Sequence, residues 1–124
     1  MKPFVVALDG PAGAGKSTTA RGVASRLDLP HVDSGAMYRG LAWLALRDGV
    51  PLDDERAVAD LLARSPLEFE SGRMAIGGVE IGDQIRSAEA GEAASRVAVH
   101  PRVRVALVAF QRSLARPGGV VMEG

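Results

Sequence analysis

The sequence predicts an α/β fold: a parallel sheet flanked by helices, carrying a small antiparallel β insert. Three observations point there. Residues 4–8, Phe-Val-Val-Ala-Leu, form an unbroken apolar run, the mark of a strand buried on both faces. A glycine-rich stretch follows at once and leads into a segment with helical apolar spacing. Farther on, residues 67–82 switch to a short-period pattern broken by Ser71-Gly72 and Gly77-Gly78, which reads as a meander of two or three antiparallel strands.

Each element can be justified in order. Within residues 16–27, Ala20, Val23, Ala24 and Leu27 recur at i, i+3, i+4 and i+7 and make one apolar helix face. Leu29-Pro30 breaks that helix, and His31-Val32-Asp33 is a short second strand, completing a strand–helix–strand unit that closes right-handed. Ser34 is suited to cap the next helix, which runs to about Arg47 with Met37, Leu41, Leu44 and Ala45 on its apolar face. Asp48-Gly49-Val50-Pro51 supplies turn chemistry to end it. Asp53 or Asp54 can cap a short helix carrying Val58, Leu61 and Leu62, which Ser65-Pro66 stops. After the meander come two helices, at 87–98 and 101–115. Pro101 fits a first helical position, and Val103, Leu107, Phe110 and Leu114 share a face. Pro117-Gly118-Gly119 ends the last helix, and Val120-Val121-Met122 begins another buried strand that closes on Glu123. No internal repeat interrupts this order.

Composition narrows the function classes. Fifteen basic and fifteen acidic residues balance to zero over 124 residues, so the chain lacks the cationic field of a nucleic-acid-binding domain. There is no cysteine, which removes disulfides, thiolate catalysis and Cys-ligated zinc. The longest apolar runs, at 4–8, 41–46 and 105–110, fall far short of a bilayer span, and the first is too short for a signal-peptide core. A cytoplasmic protein with no membrane partner is expected. Thirteen of the fifteen basic residues are Arg; the two Lys are Lys2 and Lys16.

Gly10-Pro11-Ala12-Gly13-Ala14-Gly15-Lys16-Ser17 matches G-x-x-x-x-G-K-[ST] in full, between an apolar strand and an amphipathic helix, which is the context the motif requires. The glycines permit close backbone approach, so that successive N–H groups can nest phosphate oxygens, and the helix N-terminus adds partial positive charge. Lys16 brings a compact cation to the β and γ phosphates, and the Ser17 hydroxyl is a hard oxygen ligand suited to Mg²⁺. The blander alternative is a glycine-rich turn with a surface lysine. The motif points to a P-loop NTPase fold that binds a nucleoside triphosphate with Mg²⁺, without saying which process it serves. A guanine-specific GTPase is disfavoured, because its downstream Asn-Lys-x-Asp element needs a lysine and none follows Lys16.

A second stretch, Asp33-Ser34-Gly35-Ala36-Met37-Tyr38-Arg39, lies at the end of the second strand, where ligands bind in open α/β sheets. Ser34 and the free N–H groups of the helix start can meet an anion or a sugar hydroxyl, Tyr38 can stack or hydrogen-bond, and Arg39 can hold a phosphate bidentately. The same residues are equally well explained as a cap, a packed ring and a solvated cation. His31 and His100 have no partner spacing for metal or acid–base work, and His100-Pro101 reads as a cap region. Trp43 reads as a packing residue.

The segment from Asp9 through Thr18, taken with Asp33-Ser34-Gly35-Ala36-Met37-Tyr38-Arg39, resembles the bacterial cytidylate kinase, or (d)CMP kinase, family. Ile85-Arg86, Ala94-Ser95-Arg96-Val97-Ala98, Pro101-Arg102-Val103-Arg104 and Gln111-Arg112 are similar to it in order and spacing, and the meander at 67–82 matches an insert in that family's monophosphate-binding region. The resemblance implies transfer of the ATP γ-phosphoryl group to CMP or dCMP by a monomer. It implies that Gly10, Pro11, Ala12, Gly13, Ala14, Gly15, Lys16, Ser17 and Thr18 hold ATP, with Lys16 catalytic and Ser17 on the metal. It implies that Asp33, Ser34, Tyr38 and Arg39 serve the acceptor side, Arg39 at its phosphate, that Ser95 and Arg104 read the cytosine, and that Arg86 contributes to the same site. Judged as isolated residues, Arg86, Ser95 and Arg104 fit helix-surface solvation or capping better.

Family members continue past the strand that here ends at Glu123 into an Arg-Asp pair, further strands and an arginine-bearing lid. Against that pattern, residues 1–124 read as the N-terminal part of a P-loop kinase domain that is truncated, with weak or absent turnover by this chain alone. Glu123 keeps the acidic position at the strand end. Two other functions stand beside this one: another small-molecule P-loop kinase, and a non-catalytic P-loop nucleotide-binding module.

Overall fold

The computed structural model describes residues 5–8, 16–27, 31–70, 73–82, 85, 87–114 and 120–123. The chain divides into two compact units, one made of Met1–Gly35 with Phe110–Gly124 and the other of Ala36–Ala109.

The first unit is built on three short strands, β1 (Val5–Leu8), β2 (His31–Asp33) and β6 (Val120–Glu123), in the order β1-β6-β2. Both pairings are parallel. Apolar runs suit this arrangement, because a parallel sheet is covered on both faces: Val121 of the central strand β6 and Val32 of β2 are fully buried. Helix α1 (Lys16–Leu27) connects β1 to β2 and packs on β6 and β2. Ala24, predicted for its apolar face, is buried, while Val23 is half-buried.

The second unit holds most of α2 (Ser34–Arg47), then α3 (Glu55–Ala63), the meander β3 (Leu67–Glu70), β4 (Arg73–Ile76) and β5 (Val79–Glu80), α4 (Ala88–Ala98) and much of α5 (Pro101–Ser113). All four residues expected on the apolar face of α2, Met37, Leu41, Leu44 and Ala45, are buried, as are Val58, Leu61 and Leu62 of α3. Val97, Val103 and Leu107 complete this core from α4 and α5. Burying each such large aliphatic side chain stabilises the fold by about 1.5–3 kcal/mol.

Local chemistry sets the element ends. Asp54 caps α3, its Oδ1 accepting from the Ala57 N–H at 3.1 Å, and Ser87 caps α4 in the same way through the Ala90 N–H. Ser87 is thus the cap of the helix the sequence predicted to include it. The end of α2 is a Schellman turn: Val50 N–H bonds Ala45 O at 2.8 Å and Gly49 N–H bonds Leu46 O, with Gly49 at φ 69°. The meander turns at Gly77 and Gly78, whose φ values of 58° and 80° give the two left-handed positions that a two-residue hairpin between Ile76 and Val79 demands. Helix α2 begins at Ser34, the residue expected to cap it, directly after β2. The strand and the helix leave no linker between them.

Candidate functional site

The strand register assembles one edge of the first unit. Leu8 of β1 and Asp33 of β2 are both in register with Glu123 of β6, at the carboxyl ends of all three strands. Helix α1 opens with Lys16, Ser17 and Thr18 on the chain that leaves this same edge through residues 9–15. Gly10, Pro11, Ala12, Gly13, Ala14 and Gly15, expected to cradle phosphate, lie outside the described residues. The backbone register thus places the acidic positions 33 and 123 side by side on neighbouring strands. Among the described residues, no group of three or more His, Cys, Asp or Glu side chains is spaced to hold a metal by itself.

In the second unit, Tyr38 and Arg104 meet. They are 66 positions apart in sequence, on α2 and α5, and the Arg104 guanidinium acts electrostatically on the Tyr38 phenol. Burial pushes the Tyr38 phenol above its ordinary value, and the charge and hydrogen bond of Arg104 pull the other way. The phenol is thus held neutral, and Arg104 itself is exposed. A planar fork next to a half-buried phenol can present its free edge to a base bearing acceptors side by side.

The other predicted residues divide. Asp33, Ser34 and Arg39 are half-buried and already engaged in interactions. Ser95 is exposed on α4, its hydroxyl donating to Gly91 O at 3.2 Å, one turn back. That bond is the local one an isolated helical serine makes, and its long distance leaves the hydroxyl easily exchanged. Arg86 lies outside the described residues.

Three features carry no local sequence signal. His100 is buried, and its Nε2 lies 2.8 Å from Leu52 O. Arg96 grips Asp53 with both arms, Nε to Oδ1 at 3.0 Å and Nη2 to Oδ2 at 2.7 Å. Gln111 is buried at 2% exposure. Only an even-handed look at polar residues falling on apolar helix faces would have marked His100 and Gln111. Trp43 is half-buried rather than core: Arg47 lies over its ring at 5.4 Å, beside a cleft of about 460 Å³ also lined by Leu46, Ser87, Glu89 and Ala90.

Comparison with known proteins gives a consistent result. A family model described as cytidylate kinase matches residues 6–124. The chain is 47% identical to a cytidylate kinase of Geobacillus sp. (strain WCH70), covering 96% of this chain and 55% of that protein. It is 46% identical to one of Symbiobacterium thermophilum, covering 99% and 57%. It is 49% identical to a bifunctional pantoate ligase/cytidylate kinase of Synechococcus sp. (strain JA-2-3B'a(2-13)), covering 97% of this chain and 23% of that protein. The chain thus spans about half the length of the cytidylate kinases it matches.

Proposed function

We propose, because the chain belongs to the cytidylate kinase family, that it serves transfer of the ATP γ-phosphoryl group to CMP or dCMP. An anionic oxygen of the acceptor's phosphate attacks the γ phosphorus as the bond to the β-bridging oxygen breaks, giving CDP or dCDP and ADP. The attacking oxygen carries no proton at neutral pH, so the reaction asks for neither a protein nucleophile nor a general base. It asks for alignment and for neutralised charge.

In this reading, Gly10 through Thr18 hold the ATP phosphates, and Lys16 follows the charge onto the transferring group. The Ser17 hydroxyl is the residue that would hold Mg²⁺, which when bound with ATP neutralises the β and γ phosphates. Asp33 and Ser34 orient the acceptor's sugar and phosphate, and Arg39 clamps that phosphate. Arg104, steadied by Tyr38, reads the cytosine together with Ser95, whose hydroxyl exchanges its Gly91 partner for the base. Arg86 adds a cation to the acceptor site, and residues 67–82 are its insert. The protein works as a cytoplasmic monomer on free nucleotides; among the described residues no helix is long and apolar enough to cross a membrane.

The observation that supports this reading most is the chain-long family match, which spans the helix start at Lys16 and the Tyr38–Arg104 pair alike. The test is an acceptor screen with CMP, dCMP, UMP, AMP and shikimate, run on this chain and on the form extended to the length of its relatives. CMP and dCMP are expected to be the preferred acceptors of the extended form. Preference for another acceptor overturns the reading, and ATP binding without turnover favours a non-catalytic module. Lys16→Ala is expected to lower phosphoryl transfer by about 10²-fold or more with little change in thermal stability. Unchanged turnover would remove Lys16 from its role.

A further inference from the structure

We infer that His100 is a positioning residue for Arg104, setting the start of α5 from which that side chain projects; the inference rests on the acceptor-side role proposed above for Arg104. His100 follows Val99 in the two-residue corner between α4 and α5 and is 7% exposed. Its backbone is used at both ends. The N–H donates to Val97 O at 3.2 Å and finishes α4, and the carbonyl accepts the Arg104 N–H at 3.1 Å as the first bond of α5. Its ring is used as well. Leu52 O can only accept, so Nε2 carries the hydrogen and donates across 2.8 Å to a loop 48 residues earlier.

Two further contacts fasten the same corner to the same loop. Arg96 holds Asp53 bidentately, and the Arg102 N–H donates to Glu55 Oε2 at 3.2 Å. That N–H is one of the helix-start donors with no partner inside α5, and Pro101 before it has none to offer. Residues 96–102 are therefore tied to residues 52–55 at three points. The Arg96–Asp53 pair is exposed and weakened by salt. The ring of His100 makes the buried one of the three, so it dominates the orientation. One turn beyond it stands Arg104, its N–H bonded to the His100 carbonyl. An apolar ring at position 100 fills the space and leaves the Leu52 carbonyl without its donor, freeing the start of α5 to shift against α2.

The test uses this chain, which contains one tyrosine and one tryptophan, so that Tyr38 titration and Trp43 emission are each unmixed signals. His100→Phe is expected to weaken CMP binding by roughly three- to tenfold, the size of one neutral hydrogen bond lost, with ATP binding unchanged. It is also expected to move the Tyr38 phenolate transition to higher pH, because the pull of Arg104 is lost. His100→Gln, whose side-chain amide can donate to the same carbonyl, is expected to restore both. Unchanged CMP affinity together with an unchanged Tyr38 transition in His100→Phe overturns the inference. If Trp43 emission shows that His100→Phe does not fold, His100→Asn, whose amide stops short of Leu52, is read against the same two criteria. If neither this chain nor the form extended to the length of its relatives binds CMP, the proposed function fails by itself, and the Tyr38 transition still decides the role of His100.

Discussion

Tyr38 shows how much one contact can be asked to say. Its neutral form is favoured by burial, so its contribution to stability is complete below its ordinary value of 10 and is lost as pH rises through the higher value it has in the fold. As the chain's single tyrosine, it can be followed by the absorbance of phenolate alone, and a transition above 10 is expected. Arg104→Met keeps an unbranched side chain and removes the charge and the donor, so the transition should move higher still. A move to lower pH would show that the two side chains are not in contact. Asp53 runs the opposite way. The hydrogen bond from Arg96 holds its carboxyl below the ordinary 3.8, so its contribution is present above that value and is lost as pH falls through the lower one. Both partners are exposed, so the effect is small and screened. Asp53→Asn should flatten the acid limb of the melting-temperature profile only slightly, and less at high salt. A large loss at neutral pH would contradict this.

At the scale of elements, the legible parts were those whose signal is local. The face of α2 was readable because Met37, Leu41, Leu44 and Ala45 recur at helical spacing, and the hairpin because only glycine tolerates both left-handed positions at 77 and 78. The loop from Leu52 to Asp54 was half legible: the sequence offered Asp53 or Asp54 as a cap, and the choice fell to Asp54 because Asp53 is engaged by an arginine 43 residues on. His100 and the Tyr38–Arg104 pair were beyond reach, since nothing within a helical turn of either records a partner on another element. Gly40 sits between these cases. It reads as one weak residue in a helix, yet a Cβ built there meets the Ile81 side chain at Cδ1 and, at 2.9 Å, at Cγ1, with Ile76 behind. The meander therefore seats on α2 through the missing side chain, one residue after Arg39. Gly40→Val is expected to destabilise the fold by about 1–3 kcal/mol in chemical denaturation, because overpacking outweighs the gain in helix propensity. Gly40→Val with Ile81→Ala should recover part of the loss. Equal stability of Gly40→Val and the native chain would show that the meander does not rest there.

Over the whole molecule, the residues given proposed roles fall in both compact units. Lys16, Ser17 and Thr18 belong to the first, together with Asp33, Ser34 and Glu123, while Tyr38, Arg39, Ser95 and Arg104 belong to the second. A ligand lowers amide exchange where its binding free energy opposes local opening, so each nucleotide should leave its imprint on the unit that holds most of its contacts. Mg²⁺ with ATP is expected to slow exchange at the start of α1 and along β6. CMP is expected to slow it at the start of α2 and in the first turns of α5, around Arg104. Lys16→Ala should erase the first imprint and leave the second, because it removes a phosphate contact without touching the base-reading residues. His100→Phe should do the reverse, weakening the CMP imprint on α5 and sparing that of ATP on α1. Hydrogen–deuterium exchange with peptides covering these four segments separates the outcomes. Protection by CMP confined to α1 and β6 would mean that the acceptor residues have been assigned to the wrong unit, and the reading of Tyr38 and Arg104 would fall with it.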